Sequence, residues 1–97
     1  MAVWNRLKTE LDRAGRAAQQ ALDEGKIRLD MHRARAEADR HAQRLGYAVY
    51  RARATGSEVS AEEYGRLSSD LAAAEAEVAR FEAQMNEAEQ KRGGPNP

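Results

Sequence analysis

The chain has no cysteine, one tryptophan, one phenylalanine and two prolines in 97 residues. Without thiols there is no disulfide, no thiolate zinc site and no cysteine nucleophile. Both prolines, Pro95 and Pro97, lie in the segment Gly93-Gly94-Pro95-Asn96-Pro97, so nothing before it interrupts a helix through a missing backbone donor or a ring clash. No apolar run approaches the roughly 18 residues of a membrane span, and the first residues lack the apolar core of a signal peptide. The expectation is a cytoplasmic protein. Bulky side chains are scarce as well: Leu, Ile, Val and Phe together number 13. Low bulk with high net charge marks disordered chains, but here the formal net charge is zero and the apolar positions are periodic.

What the chain has in quantity is alanine, 20 residues, and charge, 33% of all residues. That composition suits long, surface-rich helices packed closely through small side chains. Eight apolar positions, Tyr64, Leu67, Leu71, Ala74, Val78, Phe81, Met85 and Ala88, follow one another at alternating spacings of four and three, the seam of a packed helix. A second seam precedes them, at Ile27, Met31, Ala34, Ala38, Ala42, Leu45, Val49 and Ala52. Between the two lies a cluster of turn signals, Thr55-Gly56-Ser57-Glu58-Val59-Ser60, and Ser60-Ala61-Glu62-Glu63 has the form of a capping box. Helix is therefore predicted from about Val3 to Arg53 and from about Ala61 to Lys91, with boundaries good to about two to four residues.

The fold class that follows is all-α: a long antiparallel two-helix coiled-coil hairpin with a protruding N-terminal helical arm, assembling into a helical bundle. Its expected parts are an amphipathic arm over residues 1–25, the hairpin over 26–91 with its turn at 54–60, and a disordered tail at 92–97. If the turn reverses the chain, Val49 meets Tyr64, Leu45 meets Leu67, Ala42 meets Leu71, Ala38 meets Ala74, Ala34 meets Val78, Met31 meets Phe81 and Ile27 meets Met85. Charge supports the pairing. Residues 26–53 hold eight basic and three acidic side chains, net +5, and residues 58–89 hold nine acidic and two basic, net −7. In this register Arg28 is expected near Glu82, Arg35 near Glu75 or Glu77, Arg44 near Asp70 and Arg51 near Glu63. Such pairs contribute little stability but disfavour other alignments.

That register leaves the arm without a partner. Its own stripe, Trp4, Leu7, Leu11, Ala14, Ala18 and Leu22, would be exposed in a monomer and asks to be covered. Gly25 is a position where the arm can hinge. Further contact surface is offered by Leu22, Leu29, Ala36 and Tyr47 or Tyr50 on the first helix, and by Ala72, Ala76, Ala79 and Ala83 on the second.

No catalytic constellation, cofactor motif or metal-ligand set emerges. His32 and His41 are nine residues apart, on opposite sides of a helix, although His41 follows Glu37 by four. Serines lie at the turn and at Ser68 and Ser69 with no base nearby in sequence, and Gly15, Gly25 and Gly46 match no phosphate loop or dinucleotide fingerprint. The basic face of the first helix, Arg28, Arg33, Arg35, Arg40, Arg44, Arg51 and Arg53, admits a nucleic-acid reading. An acidic second helix beside it and a near-neutral isoelectric point weigh against that. The arm sets Arg6, Lys8, Arg13 and Arg16 against Glu10 and Asp12, with Trp4 near its start, which is one way to compose a membrane-surface helix. Two of the six residues of its apolar face are alanine, which suits helix packing better than lipid insertion.

Gly25-Lys26-Ile27, then Leu45-Gly46-Tyr47-Ala48-Val49-Tyr50, then a glycine turn and a heptad helix resemble a group of small bacterial coiled-coil proteins of unknown function, over residues 20–90. Some of that group carry a C-terminal zinc ribbon; with no cysteine, these 97 residues have no counterpart to it. An amphipathic N-terminal helix followed by a helical hairpin is also similar, more loosely, to phage-shock membrane-remodelling proteins, which are longer.

The functional expectation is a non-enzymatic structural or adaptor coiled coil that self-associates as a dimer or tetramer and contacts a protein partner through its arm. The alternative is a peripheral protein at the inner membrane surface, anchored by Trp4, Leu7 and Leu11. Nucleic-acid binding through the arginine face is the third reading.

Overall fold

The computed structural model describes residues 2–91; Met1 and the tail at 92–97 lie outside the described residues. Two helices, α1 (Ala2–Ala54) and α2 (Ala61–Lys91), pack against each other as an antiparallel hairpin, and no strand is present among the described residues. At about 1.5 Å per residue the 53 residues of α1 span about 80 Å, which accounts for the 82 Å long dimension of an 82 × 23 × 19 Å molecule. The helix runs unbroken through Gly25, where a hinge was one expectation.

Local chemistry places the reversal. Gly56 takes φ 76°, a left-handed conformation open to glycine at little cost, and the α1 terminus closes around it. The Ser57 amide donates to the Ala52 carbonyl at 2.9 Å and the Gly56 amide to the Arg53 carbonyl at 3.0 Å, the paired bonds of a Schellman cap. The Thr55 and Ser57 hydroxyls also donate to Ala52 O. Four residues on, Ser60 caps α2: its Oγ accepts from the Glu63 amide at 3.1 Å. The Glu63 carboxylate, expected to complete a capping box, lies instead 3.9 Å from Arg66.

The hairpin core is a thin line. Ala34, Ala38 and Val78 form a buried cluster with Ala74 and Phe81 packed against it, and Leu67 and Met85 are buried towards its two ends. Ile27, Met31, Leu45, Val49, Ala52, Leu71 and Ala88 are half-buried. Two residues expected on the seam are exposed, Ala42 and Tyr64. The apolar letters of α1 ask for two successive spacings of four, Ala34 to Ala38 to Ala42, and the structure does not make that skip. It keeps strict alternation of four and three through Gln20, Glu24, Ile27, Met31, Ala34, Ala38, His41, Leu45, Ala48 and Ala52, each buried or half-buried. A supercoiled pair must hold one heptad phase along its length, so His41 and Ala48 occupy the seam, and alanine at 42 loses too little by exposure to shift it. Tyr64 falls on the seam of α2 one turn from its start, where the chain is already diverging into the turn.

Charge pairing also departs from the same-level expectation. Asp70 and Glu63 lie near Arg66 of their own helix, and Glu77 is hydrogen-bonded by Arg80, so none of the three is given an ion pair with Arg44, Arg51 or Arg35. Arg35 pairs with Glu82 across the two helices at 3.1 Å, and Arg53 lies 3.8 Å from Glu58 of the turn. Pairs three or four apart on one helix form without waiting for tertiary structure, which is why they take most of these carboxylates.

Candidate interaction surface of the N-terminal arm

Residues 2–19 of α1 extend past the end of α2, and every one of them is exposed. Burial begins at Gln20 and is first complete at Glu24, 5% exposed, beside the terminal turn of α2. The hairpin therefore starts about one and a half turns earlier than the boundary at 26, and the unpartnered arm is correspondingly shorter. Trp4, Leu7 and Leu11 are 65%, 49% and 64% exposed, with Ala14 and Ala18 continuing the same face and Leu22 exposed at its end.

The phase of this face is informative. Carried backwards from Gln20, the hairpin seam would pass through Ala17, Arg13, Glu10, Arg6 and Val3, mostly charged. The stripe Trp4–Leu7–Leu11–Ala14–Ala18 lies one residue round, about 100° away on the helix. A longer α2 would therefore have met charge, and the apolar face of the arm is aimed at a different neighbour. Its local polar links are intrahelical: Arg13 lies 3.7 Å from Glu10, and the Thr9 hydroxyl donates to Asn5 O at 2.9 Å.

Elsewhere the side-chain polar links are again mostly within one helix. His41, with its side chain 19% exposed, has Nε2 3.3 Å from Glu37 Oε1 and Nδ1 3.2 Å from Arg44 Nη1. The Arg40 hydrogen bond and charge, with His41 and Arg44 adding, hold the Glu37 carboxyl below its ordinary range; Arg80 does the same to Glu77 and is itself raised in return. Among the described residues no group of three or more His, Asp or Glu is placed to hold a metal ion, and no helix is long and apolar enough to cross a membrane.

Near the turn, Arg44, Arg51 and Arg66 edge an open groove of about 600 Å³ floored by Ala48, Val59 and Leu67, with Glu58 and Glu63 facing them. The Arg51 guanidinium sits over the Tyr47 ring at 5.3 Å, and Tyr47, Tyr50 and Tyr64 are all exposed at this end. From the sequence, Tyr47 or Tyr50 is expected only as spare contact surface and Tyr64 as a seam residue. Their gathering at one end of the molecule depends on the reversal of the chain.

Comparison with protein-family models, with curated proteins and with solved structures finds no match for this chain.

Proposed function

We propose that the chain is a non-enzymatic coiled-coil protein of structural or adaptor type, which self-associates and engages protein through its N-terminal arm. The observation that carries this reading is the arm itself: a helical extension whose apolar residues are uncovered and stand out of phase with the hairpin seam. Fully burying Trp4, Leu7 or Leu11 is worth about 1.5–3 kcal/mol each, enough together to stabilise a modest helix contact. The small residues Ala14 and Ala18 allow close approach of a second helix. Attachment at the inner surface of a membrane is the competing use of the same face.

One pair of measurements separates them. Replacing Leu7→Asp together with Leu11→Asp places carboxylates in an apolar contact, so the native mass by light scattering is expected to fall. Binding to anionic vesicles should be absent from both proteins. An unchanged mass, with a blue shift of Trp4 fluorescence on adding vesicles to the unaltered chain, would overturn the proposal in favour of the membrane reading.

A further inference from the structure

The outer face of α2 carries a second heptad line. From Gly65 to Gln90 the positions spaced four and three apart hold only uncharged residues, Ala72, Ala76, Ala79 and Ala83 at the centre, and every one is exposed. This line lies nearly opposite the seam that faces α1. We infer that it receives the N-terminal arm of a second copy, lying parallel to α2. The inference rests on the arm being the self-association element and names the surface it docks on.

Charge selects the occupant. Residues 61–91 hold eight acidic and three basic side chains, net −5, so two α2 helices laid on this face repel. Residues 2–19 hold four basic and two acidic, net +2. Size agrees with charge, because the arm offers large residues where α2 offers alanine, so Leu7 and Leu11 enter spaces that a helix of leucines would fill.

Charge also selects the direction. One edge of the α2 line carries Ser68, Glu75, Glu82 and Glu89, and the other Arg66, Ala73, Arg80 and Glu87. On the arm, Lys8 and Glu10 flank the apolar stripe on opposite sides. A parallel arm sets Glu10 beside Arg80 and Lys8 on the edge of Ser68 and Glu75; an antiparallel arm turns Glu10 to the edge of Glu75, Glu82 and Glu89. Aligning Leu7 with Ala72 and Leu11 with Ala76 puts Trp4 at Ser69 and Ala18 at Ala83. A shift of seven residues one way carries Trp4 to Glu62, and the other way carries Glu10 to Glu87.

The test uses the full chain. Ala76→Arg introduces charge at an exposed position, so the helical circular dichroism should persist while the native mass falls to the single-chain 10.8 kDa. Since the chain has no native cysteine, mixing Leu11→Cys with Ala76→Cys under oxidation should give the mixed crosslink as the main product, over either like-with-like pair. A dominant Leu11–Leu11 crosslink with the Ala76→Arg mass unchanged would overturn the docking surface while leaving association through the arm intact. A single-chain mass for the unaltered protein across concentration would overturn both.

Discussion

Arg35 donates to Glu82 across the hairpin at 3.1 Å, although the cluster of Ala34 with Val78 puts Arg35 at the level of Glu77. Glu77 is occupied by Arg80, and Arg35 leans along the groove to a carboxylate beyond its own level. In an antiparallel pair the flank following the seam on one helix faces the same flank on the other, and Arg35 and Glu82 hold those two positions. The pair is therefore a marker of register more than a source of stability. Both side chains are about half exposed.

A double-mutant cycle over Arg35→Ala and Glu82→Ala should return a coupling of about 0.2–1 kcal/mol in denaturant unfolding, weakening in high salt. The same cycle on Arg28 with Glu82, which sequence reasoning would pair, should return none. Coupling of equal size in both cycles would mean that the register is not unique.

The phase of α1 can be tested at two neighbouring residues. His41 faces α2 and Ala42 faces water, so His41→Leu should raise stability, by about 1 kcal/mol from added apolar burial, while Ala42→Gln should stay within about 0.5 kcal/mol. The opposite ranking, read from thermal or urea unfolding, would restore the seam through Ala42.

Core weight should be concentrated on few residues. Leu67→Ala removes a buried side chain from a thin core and is expected to cost about 2–5 kcal/mol, against under about 0.5 kcal/mol for Tyr50→Ala on the exposed face. Cysteines at Ala38 and Ala74 should join within one chain, both lying in the central cluster. Crosslinks found only between chains would replace the hairpin by a swapped arrangement.

Glu37 and Glu77 have carboxyls held below the ordinary value of 4.5, first by hydrogen bonds from Arg40 and Arg80. A lowered folded-state value means that their stabilisation is complete above about pH 4.5 and disappears as pH falls through the folded value. The loss of thermal stability between about pH 5 and pH 3 should therefore be smaller in Glu37→Gln with Glu77→Gln than in the unaltered chain. Both groups are exposed, so the difference should shrink in 1 M salt, at about a 3 Å screening length. A difference that grows with salt would assign it to something other than these ion pairs.

Much of this architecture was legible in one dimension because its signals are local. A four-and-three alternation from Leu67 to Ala88, Gly56 at a helix end and Ser60 at a helix start each act through neighbours within one turn, and helix existence, type and boundaries follow from them. What the alternation does not settle is which of two adjacent residues occupies a seam position when neither is a strong hydrophobe. At 41 and 42 the choice between histidine and alanine was made by the partner helix, through the requirement of a single phase along the pair. The burial of Glu24, the diagonal reach of Arg35 and the gathering of Tyr47, Tyr50 and Tyr64 at one end likewise depend on where α2 lies. The arm is the converse case. Its apolar face is written plainly in residues 4–18, but that face stands about 100° from the seam, and only the packed hairpin shows that α2 cannot cover it.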